Sequence, residues 1–412
     1  MTAIKRPELL APAGDLEKLK TAVRFGADAV YAGAGGYSLR ADDNAFTQAE
    51  LAEGIRFAHE HGCKFYLALN IYAFDNNLAA LRDYFLAAAD AGLDAVIIAD
   101  PGVLHLIQGL STSVRIHIST QANTTNSAAV KFWLNNGASR IVAARELTLA
   151  QLRGLKTAVP DAELEVFVHG AMCIAYSGRC LLSRHMTGRS ANRGQCAQPC
   201  RWEYRFREST RAAIYTAEED QRGTYILNSR DLCLIQHIPE LLEAGIDSFK
   251  IEGRMKSVFY TAMVTKVYRQ AIDTYLAAPE KYTIAPEWLD NLEKISHRPY
   301  TDGLLFSGTA QQTEQTENSA YLKSYDFVGT ALNYAPETRQ LTISGRNHFR
   351  SGSELEVLDH QIAPIQKIKI GALRKSSGES ITDAHNGYLV TADLQEQPMA
   401  EISKYSLLFA KR

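Results

Sequence analysis

Five times in the first two-thirds of the chain, a helical stretch closes on glycine and runs within a few residues into a short apolar segment: Phe25-Gly26 to Val30, His61-Gly62 to Phe65, Ala91-Gly92 to Val96, Asn136-Gly137 to Ile141 and Ala244-Gly245 to Phe249. Glycine ends helices because it alone enters the left-handed region without steric cost, so each junction reads as helix, cap, strand. Eight apolar runs, at 9–11, 30–32, 65–69, 96–99, 116–118, 141–143, 166–168 and 249–251, lack the polar alternation of a half-exposed strand. Such runs are buried on both faces and belong in a parallel sheet. Eight of them alternating with helices specify an α/β fold, a (β/α)8 TIM-like barrel, with a doubly wound open sheet as the alternative. Leu78, Leu81, Phe85 and Ala88 recur at helical spacing and are read as core. Gly33-Ala-Gly35-Gly36 follows a strand but lacks the full dinucleotide fingerprint and is read as a barrel loop.

The barrel is expected over 1–279, with a cysteine- and arginine-rich insertion at 170–229 after strand 7. A connector at 280–320 follows, its 309–318 stretch polar, and then a C-terminal domain at 321–412. That last part shows short strands separated by turn signals, the pattern of a small β-barrel. Its Arg346, His348, Arg350, Lys367, Lys369, Arg374 and Lys375 either meet phosphate or form a solvated face. No run approaches the roughly 20 apolar residues that cross a bilayer, and the start of the chain lacks the apolar run of a signal peptide, so a cytoplasmic protein with no membrane partner is expected.

Reacting groups in barrels of this kind stand at the C-terminal ends of strands. Those ends carry Asn70, Asp100, Ser119 with Gln121, Arg145 with Glu146, His169, and Glu252 with Arg254, all expected around one mouth. The insertion begins where the seventh strand ends, and the helix after it is expected to resume near Asp231 with Cys233 in its first turn. The insertion should therefore roof the mouth.

Five of six cysteines, Cys173, Cys180, Cys196, Cys200 and Cys233, fall within sixty-one residues. Between Gly170 and Thr210, arginines 179, 184, 189, 193, 201, 205 and 207 face only Glu203 and Glu208, with no lysine. A net charge of −2 excludes a whole-molecule electrostatic grip on nucleic acid, so no DNA partner is expected and any RNA contact falls to this patch: Arg184, Arg189, Arg193 and Arg201. In a reducing compartment clustered thiols point to metal or redox chemistry before disulfides. The spacing favours an iron–sulfur cluster, and zinc remains the alternative. Cys63 is read as an ordinary semi-buried thiol.

Hydrolytic readings are weaker. The chain has neither a Gly-x-Ser-x-Gly elbow nor a His-Glu-x-x-His helix, and His59-Glu60-His61 lacks the spacing of a zinc-protease site. A Cys173–His169 dyad is conceivable, but Glu165 to His169 reads as strand. His169 is either an acid–base group or a satisfied rim histidine. Glu165 is either catalytic or the buried partner of a polar group on a neighbouring strand. Lys250, Glu252 and Arg254 alternate toward the barrel axis and, with Arg145, either hold a small dicarboxylate or form an internal salt-bridge network.

Glu165-Val-Phe-Val-His-Gly-Ala-Met-Cys173 followed by Tyr176-Ser-Gly-Arg-Cys-Leu-Leu-Ser183 resembles the signature of the collagenase-like peptidase family of unassigned catalytic type. Pro7 to Gly14, Asn228 to Cys233 and Lys250 to Ser257 match its other blocks. Despite the family's name, several bacterial members support oxygen-independent hydroxylation with prephenate, on transfer RNA, ribosomal RNA or the ubiquinone ring. A barrel with one C-terminal β-domain is most similar to the members that make 5-hydroxyuridine at the tRNA wobble position. The resemblance implies a [4Fe–4S] cluster on Cys173, Cys180, Cys196 and Cys233, with Cys200 spare or in place of Cys196. It also implies prephenate against Arg145, Lys250 and Arg254, with Asn70 and Gln121 at the rim, a uridine from the tRNA anticodon loop beside it, and His169, Glu165 and Glu252 as candidate catalytic groups. The competing classes are a protease, with Cys173 or a metal-bound water as nucleophile, and a non-enzymatic RNA-binding scaffold with structural zinc.

Overall fold

The computed structural model describes residues 5–33, 35–38, 46–110, 112–172, 180–191, 195–199, 230–307, 321–362 and 364–412, and, by backbone alone, one pair of two-residue strands, Glu219–Asp220 and Gly223–Thr224. Seven parallel strands alternate with helices: β1 (Glu8–Ala13), α1 (Leu16–Arg24), β2 (Ala29–Gly33), α2 (Gln48–Glu60), β3 (Lys64–Leu69), α3 (Asp75–Asp90), β4 (Ala95–Ile98), α4 (Pro101–Gln108), β5 (Arg115–Ile118), α5 (Ser127–Asn135), β6 (Arg140–Val142), α6 (Leu149–Ala158) and β7 (Glu163–Ala171). An eighth, Ser248–Ile251, pairs in parallel with both β7 and β1 and closes the ring. The barrel is thus confirmed over the open sheet. The five cap glycines all adopt positive φ, from 70° at Gly62 to 101° at Gly26.

Alternation along each strand divides the side chains. Leu9, Ala11, Val30, Phe65 and Leu67 point outward into the main core under the helices. Leu10, Ala29, Tyr31, Tyr66, Ala68, Ala95 and Ile97 make a separate apolar layer inside the barrel. That layer fills only one side of the lumen, and the opposite side is charged.

Asp231–Cys233 is a short strand antiparallel to the end of β7, with Cys233 opposite His169, and not the first turn of a helix. The end of β7 overruns its parallel neighbours, and its exposed backbone groups need partners that this strand supplies. The helix starts only at Ile238, after a single 3-10 turn. The stretch read as a connector is likewise built into the main body as far as Thr301. Trp288, Leu292 and Ile295 are core residues, and Tyr300–Thr301 pairs with Asp231–Leu232. The polar stretch 309–318 lies outside the described residues.

In the C-terminal domain six strands, Glu354–Leu358, Leu407–Lys411, Tyr325–Ala335, Gln340–Gly345, Leu389–Leu394 and Gln366–Lys375, pair antiparallel in that order, and the last returns to the first. Phe259 of the long helix Val258–Ala277 lies 4.7 Å from Phe409, and Lys294 pairs with Glu356 at 2.7 Å, so the domain is packed on the barrel.

Candidate functional site at the barrel mouth

Hydrogen bonds join four strand ends across the mouth. Arg254 Nη1 donates to Ser38 Oγ at 2.6 Å, Ser38 to Asn70 Oδ1 at 3.4 Å, Asn70 Nδ2 to Ser119 Oγ at 3.3 Å, and Ser119 to Gln121 Oε1 at 3.2 Å. Arg254 comes this close to β2 because Gly33 has no side chain; a Cβ there would lie 2.3 Å from Arg254 Nη1. Arg254, Asn70 and Gln121 therefore sit in one connected rim. Gln121 is buried, and its Nε2 has no partner among the described residues.

Two aromatic rings line the opening. Arg145 stacks on Phe167 with its guanidinium 4.0 Å from the ring centre and donates to the Ala171 carbonyl. Lys250 Nζ lies 4.5 Å from the centre of Tyr31 and 5.5 Å from that of Phe167, and Arg254 lies 5.6 Å from Tyr31. Glu252 accepts from the Tyr31 hydroxyl at 3.3 Å. Burial, reinforced by the Glu252 charge, raises the Tyr31 phenol well above its ordinary range and keeps it a neutral donor. Three cations and one carboxylate thus share an aromatic-walled opening, a composition suited to an anion with a flat apolar face.

Beneath the mouth the charges are mutually satisfied. Glu165 takes Lys250 at 2.8 Å on one oxygen and Arg140 at 3.3 Å on the other, and Arg140 also binds Glu8 and Glu163. Burial lowers the Lys250 ammonium below the ordinary lysine range, and Glu165 opposes that shift. His117, fully buried beside Tyr66, is driven well below the ordinary histidine range, first by burial and then by Arg140. For Glu165 and Lys250 the internal network is what the side chains form.

His169 stands elsewhere. A β-bulge at Val168 shifts the register so that His169 pairs with Ile251, whose side chain points outward. Its ring lies 5.4 to 5.9 Å from Tyr300, Tyr268 and Tyr260, outside the lumen. Burial, then His297 and Lys256, pushes it down to about 3, which keeps it neutral.

Of the cysteines, Cys180, Cys196 and Cys233 are half-buried free thiols, and Cys173 and Cys200 lie outside the described residues, as do Arg193 and Arg201. Buried Ser183 in the helix α7 (Leu182–Thr187) accepts from the Ala197 amide at 3.0 Å and so ties the Cys196 segment to the helix that follows Cys180. Cys196 Sγ accepts from the Gln198 amide at 3.4 Å, from a turn in which Gln198 has φ 56°. An amide directed at sulfur fixes the orientation of that side chain, as hydrogen bonds around metal sites orient their ligands. Among the described residues no three His, Cys, Asp or Glu side chains converge on a metal-sized point. Arg184 and Arg189 are exposed, as RNA contacts must be. In the C-terminal domain Arg346, His348, Lys367, Arg374 and Lys375 each have an acidic partner within 2.9 Å, the pattern of a solvated, paired face.

Peptidase family U32 matches residues 14–315, and the family's C-terminal domain matches 323–408. The chain belongs to peptidase family U32. Within it, this U32 chain is 45% identical to tRNA hydroxylation protein P1 of Bacillus subtilis over 87% of its own length and 85% of the relative's. It is 36% identical to the 23S rRNA 5-hydroxycytidine C2501 synthase of Escherichia coli over 72% and 45%, and 32% identical to a collagenase of Porphyromonas gingivalis over 79% and 80%. Relatives of the U32 chain thus carry both hydroxylation and protease names, and the choice between those chemistries rests on the site.

Tyr31, Phe167 and Ser38 of the U32 mouth were missed from sequence. Tyr31 and Phe167 sit in apolar runs and look like core; only their two-residue spacing from Gly33 and Glu165 marks them as lumen residues. Nothing near Ser38 marks it.

Proposed function

We propose that this chain hydroxylates uridine in transfer RNA, making 5-hydroxyuridine at the wobble position without oxygen, with prephenate as co-substrate. The observation that carries the reading is the meeting of Arg145 and Arg254 around Tyr31 and Phe167 at the barrel mouth, with Lys250 paired to Glu165 beneath them. Prephenate is a ring with two carboxylates. The two guanidinium groups suit bidentate contacts to carboxylates, and the two aromatic rings suit the ring while excluding water. Asn70 and the buried Gln121, whose Nε2 has no partner among the described residues, supply polar groups around it. The names of the B. subtilis and E. coli relatives support RNA hydroxylation as the reaction class.

An iron–sulfur cluster, a [4Fe–4S] centre in this reading with zinc as the alternative, would be held by Cys173, Cys180, Cys196 and Cys233, with Cys200 the alternative ligand. The free thiols and the amide directed at Cys196 fit such a group. When bound, it supplies one-electron chemistry. None of the described helices is long and apolar enough to cross a membrane, and a tRNA substrate puts the protein in the cytoplasm.

The deciding experiment is nucleoside mass spectrometry of tRNA from cells lacking the gene, with and without a block in prephenate synthesis. Loss of 5-hydroxyuridine under anaerobic growth in both cases is expected. Undiminished 5-hydroxyuridine, or cleavage of denatured collagen by the reconstituted protein with RNA unaltered, would replace this reading with the protease one.

A further inference from the structure

Gln121 ends the hydrogen-bonded chain that crosses the mouth, and the direction of that chain is decided at its other end. A guanidinium has no acceptor, so Ser38 Oγ must receive from Arg254 and spend its single proton on Asn70 Oδ1. That assigns the Asn70 amide, whose Nδ2 donates to Ser119 Oγ. Ser119 Oγ also accepts from the Gln121 backbone amide at 3.4 Å, which takes its second lone pair. Its own proton therefore goes to Gln121 Oε1, and Gln121 Nε2 is turned away from the chain as a donor.

The rest of Gln121 is fixed in place. Its carbonyl accepts from the Tyr72 hydroxyl at 2.7 Å and from Asn123 Nδ2 at 3.2 Å. The residue is 1% exposed, and Nε2 has no partner among the described residues. A buried donor of this kind is unfavourable until an acceptor meets it. Arg145 on the adjoining loop shares the feature, since its Nε is also buried and unpaired among the described residues. Two bonds join the loops that follow β5 and β6: Thr120 Oγ1 donates to the Ala143 carbonyl at 3.1 Å, and the Ala144 amide donates to the Thr124 carbonyl at 3.3 Å. A charged donor and a neutral one thus stand on neighbouring loops of the mouth.

That combination selects among ligands. Guanidinium groups claim carboxylates, which they bind through two bonds, and the neutral amide suits an uncharged oxygen close by. A carboxylate with a carbonyl beside it is a 2-oxo acid. Its 2-amino counterpart fits badly, because an ammonium has only hydrogens to offer and meets donors on both loops. We infer that Gln121 selects a 2-oxo acid over the matching 2-amino acid at this mouth, by donating from Nε2 to the keto oxygen. The inference rests on the prephenate reading above, since prephenate carries a keto group next to one of its two carboxylates. Ser119 is a positioning residue, because its proton decides which end of the Gln121 amide faces the ligand.

The test is calorimetric binding of prephenate, and of arogenate in which an ammonium replaces the keto oxygen, to the full chain and three variants. The wild type is expected to favour prephenate by at least about tenfold. Gln121→Ala is expected to lose roughly 5- to 100-fold in prephenate affinity and to keep its arogenate affinity, so the preference collapses. Gln121→Glu, similar in shape but accepting only, is expected to favour arogenate. Ser119→Ala leaves Gln121 in place and frees its amide to turn, so it too is expected to narrow the preference, and it carries the test where a Gln121 variant fails to fold. Wild-type protein that binds both ligands equally overturns the inference. So does a preference that survives in the folded variants, or a Gln121→Ala protein that weakens both ligands alike, which is the signature of a structural role. Wild-type protein that binds neither ligand removes the prephenate reading itself and the inference with it, a result distinct from the others.

Discussion

Lys250 Nζ and Glu165 Oε1 meet at 2.8 Å across neighbouring parallel strands, with 5% and 0% of their side chains exposed. Because Arg140 holds the other carboxylate oxygen and is itself shared with Glu8 and Glu163, Glu165 is the carboxylate on which the buried Lys250 depends. Removing a single member of such a set leaves charge buried without compensation. Glu165→Gln should therefore cost about 3–5 kcal/mol in equilibrium urea unfolding. Lys250→Met, which leaves Glu165 still paired with Arg140, should cost less. A Glu165→Gln protein within about 1 kcal/mol of wild type, the worth of an exposed pair, would show that the network does not hold the barrel together.

The environment of His169 makes a claim about pH. Its folded value, about 3, lies below the ordinary histidine value near 6.5, so the unfolded chain takes up a proton that the folded chain refuses. That penalty is absent above the unfolded value and grows as pH falls from about 6.5 toward 3. Between about pH 7 and pH 5 it amounts to about 2 kcal/mol. His169→Asn should flatten the fall of unfolding free energy over that interval by this amount. Buried His117 acts in the same direction, so part of the fall should remain. An unchanged pH slope in the variant would mean that His169 is protonated in the folded protein.

The barrel was legible because its signals are local and repeated: glycine at each helix end and doubly buried apolar runs. Cys233 was misplaced for a different reason. Asp231-Leu-Cys233 is a strand only because the overhanging end of β7 needs a partner, a demand made by a segment sixty residues away. His169 carries the same lesson, since strict alternation directs it into the lumen and one extra residue at Val168 turns it out. At the mouth the charged residues were readable as a set, whereas the choice between ligand and internal pair for Lys250 depended on Glu165 facing it from the neighbouring strand.

Gly33 tests the rim. A methyl group there would lie 2.3 Å from Arg254 Nη1 and 3.1 Å from Ser38 Oγ. The obstructed atom is the end of a flexible side chain, so Gly33→Ala should leave the fold intact and cost at most about 1.5–3 kcal/mol of stability, the worth of the displaced Arg254–Ser38 bond. It should still displace the guanidinium from Ser38. Arg254 is proposed to hold a prephenate carboxylate through a charge-assisted bond worth about 1.5–3 kcal/mol, so moving its guanidinium should lower prephenate affinity measured by calorimetry about tenfold or more. Gly154→Ala, on α6 with nothing within 4 Å of its Cβ, is the control and should bind as the wild type does. Equal affinities in both variants would remove Arg254 from the anion site.

The thiols separate by accessibility. Cys63 is 3% exposed, and burial, with Asp28 adding to it, raises its thiol far above the ordinary range. Cys180 and Cys196 are half-buried, within reach of solvent, in an acid-free, arginine-bearing segment. Peptide mass spectrometry of the reduced, metal-free protein after a short iodoacetamide pulse should find Cys180 and Cys196 alkylated and Cys63 intact. If the proposed cluster forms, anaerobic reconstitution with iron and sulfide should protect Cys180 and Cys196 and leave Cys63, buried in the main core, as it was. Cys196→Ser should then bind less iron and show weaker visible absorption than wild type, while Cys63→Ser should match wild type in both. If Cys180 and Cys196 stay fully reactive after reconstitution, the insertion holds no cluster, and the amide directed at Cys196 serves only the turn around Gln198.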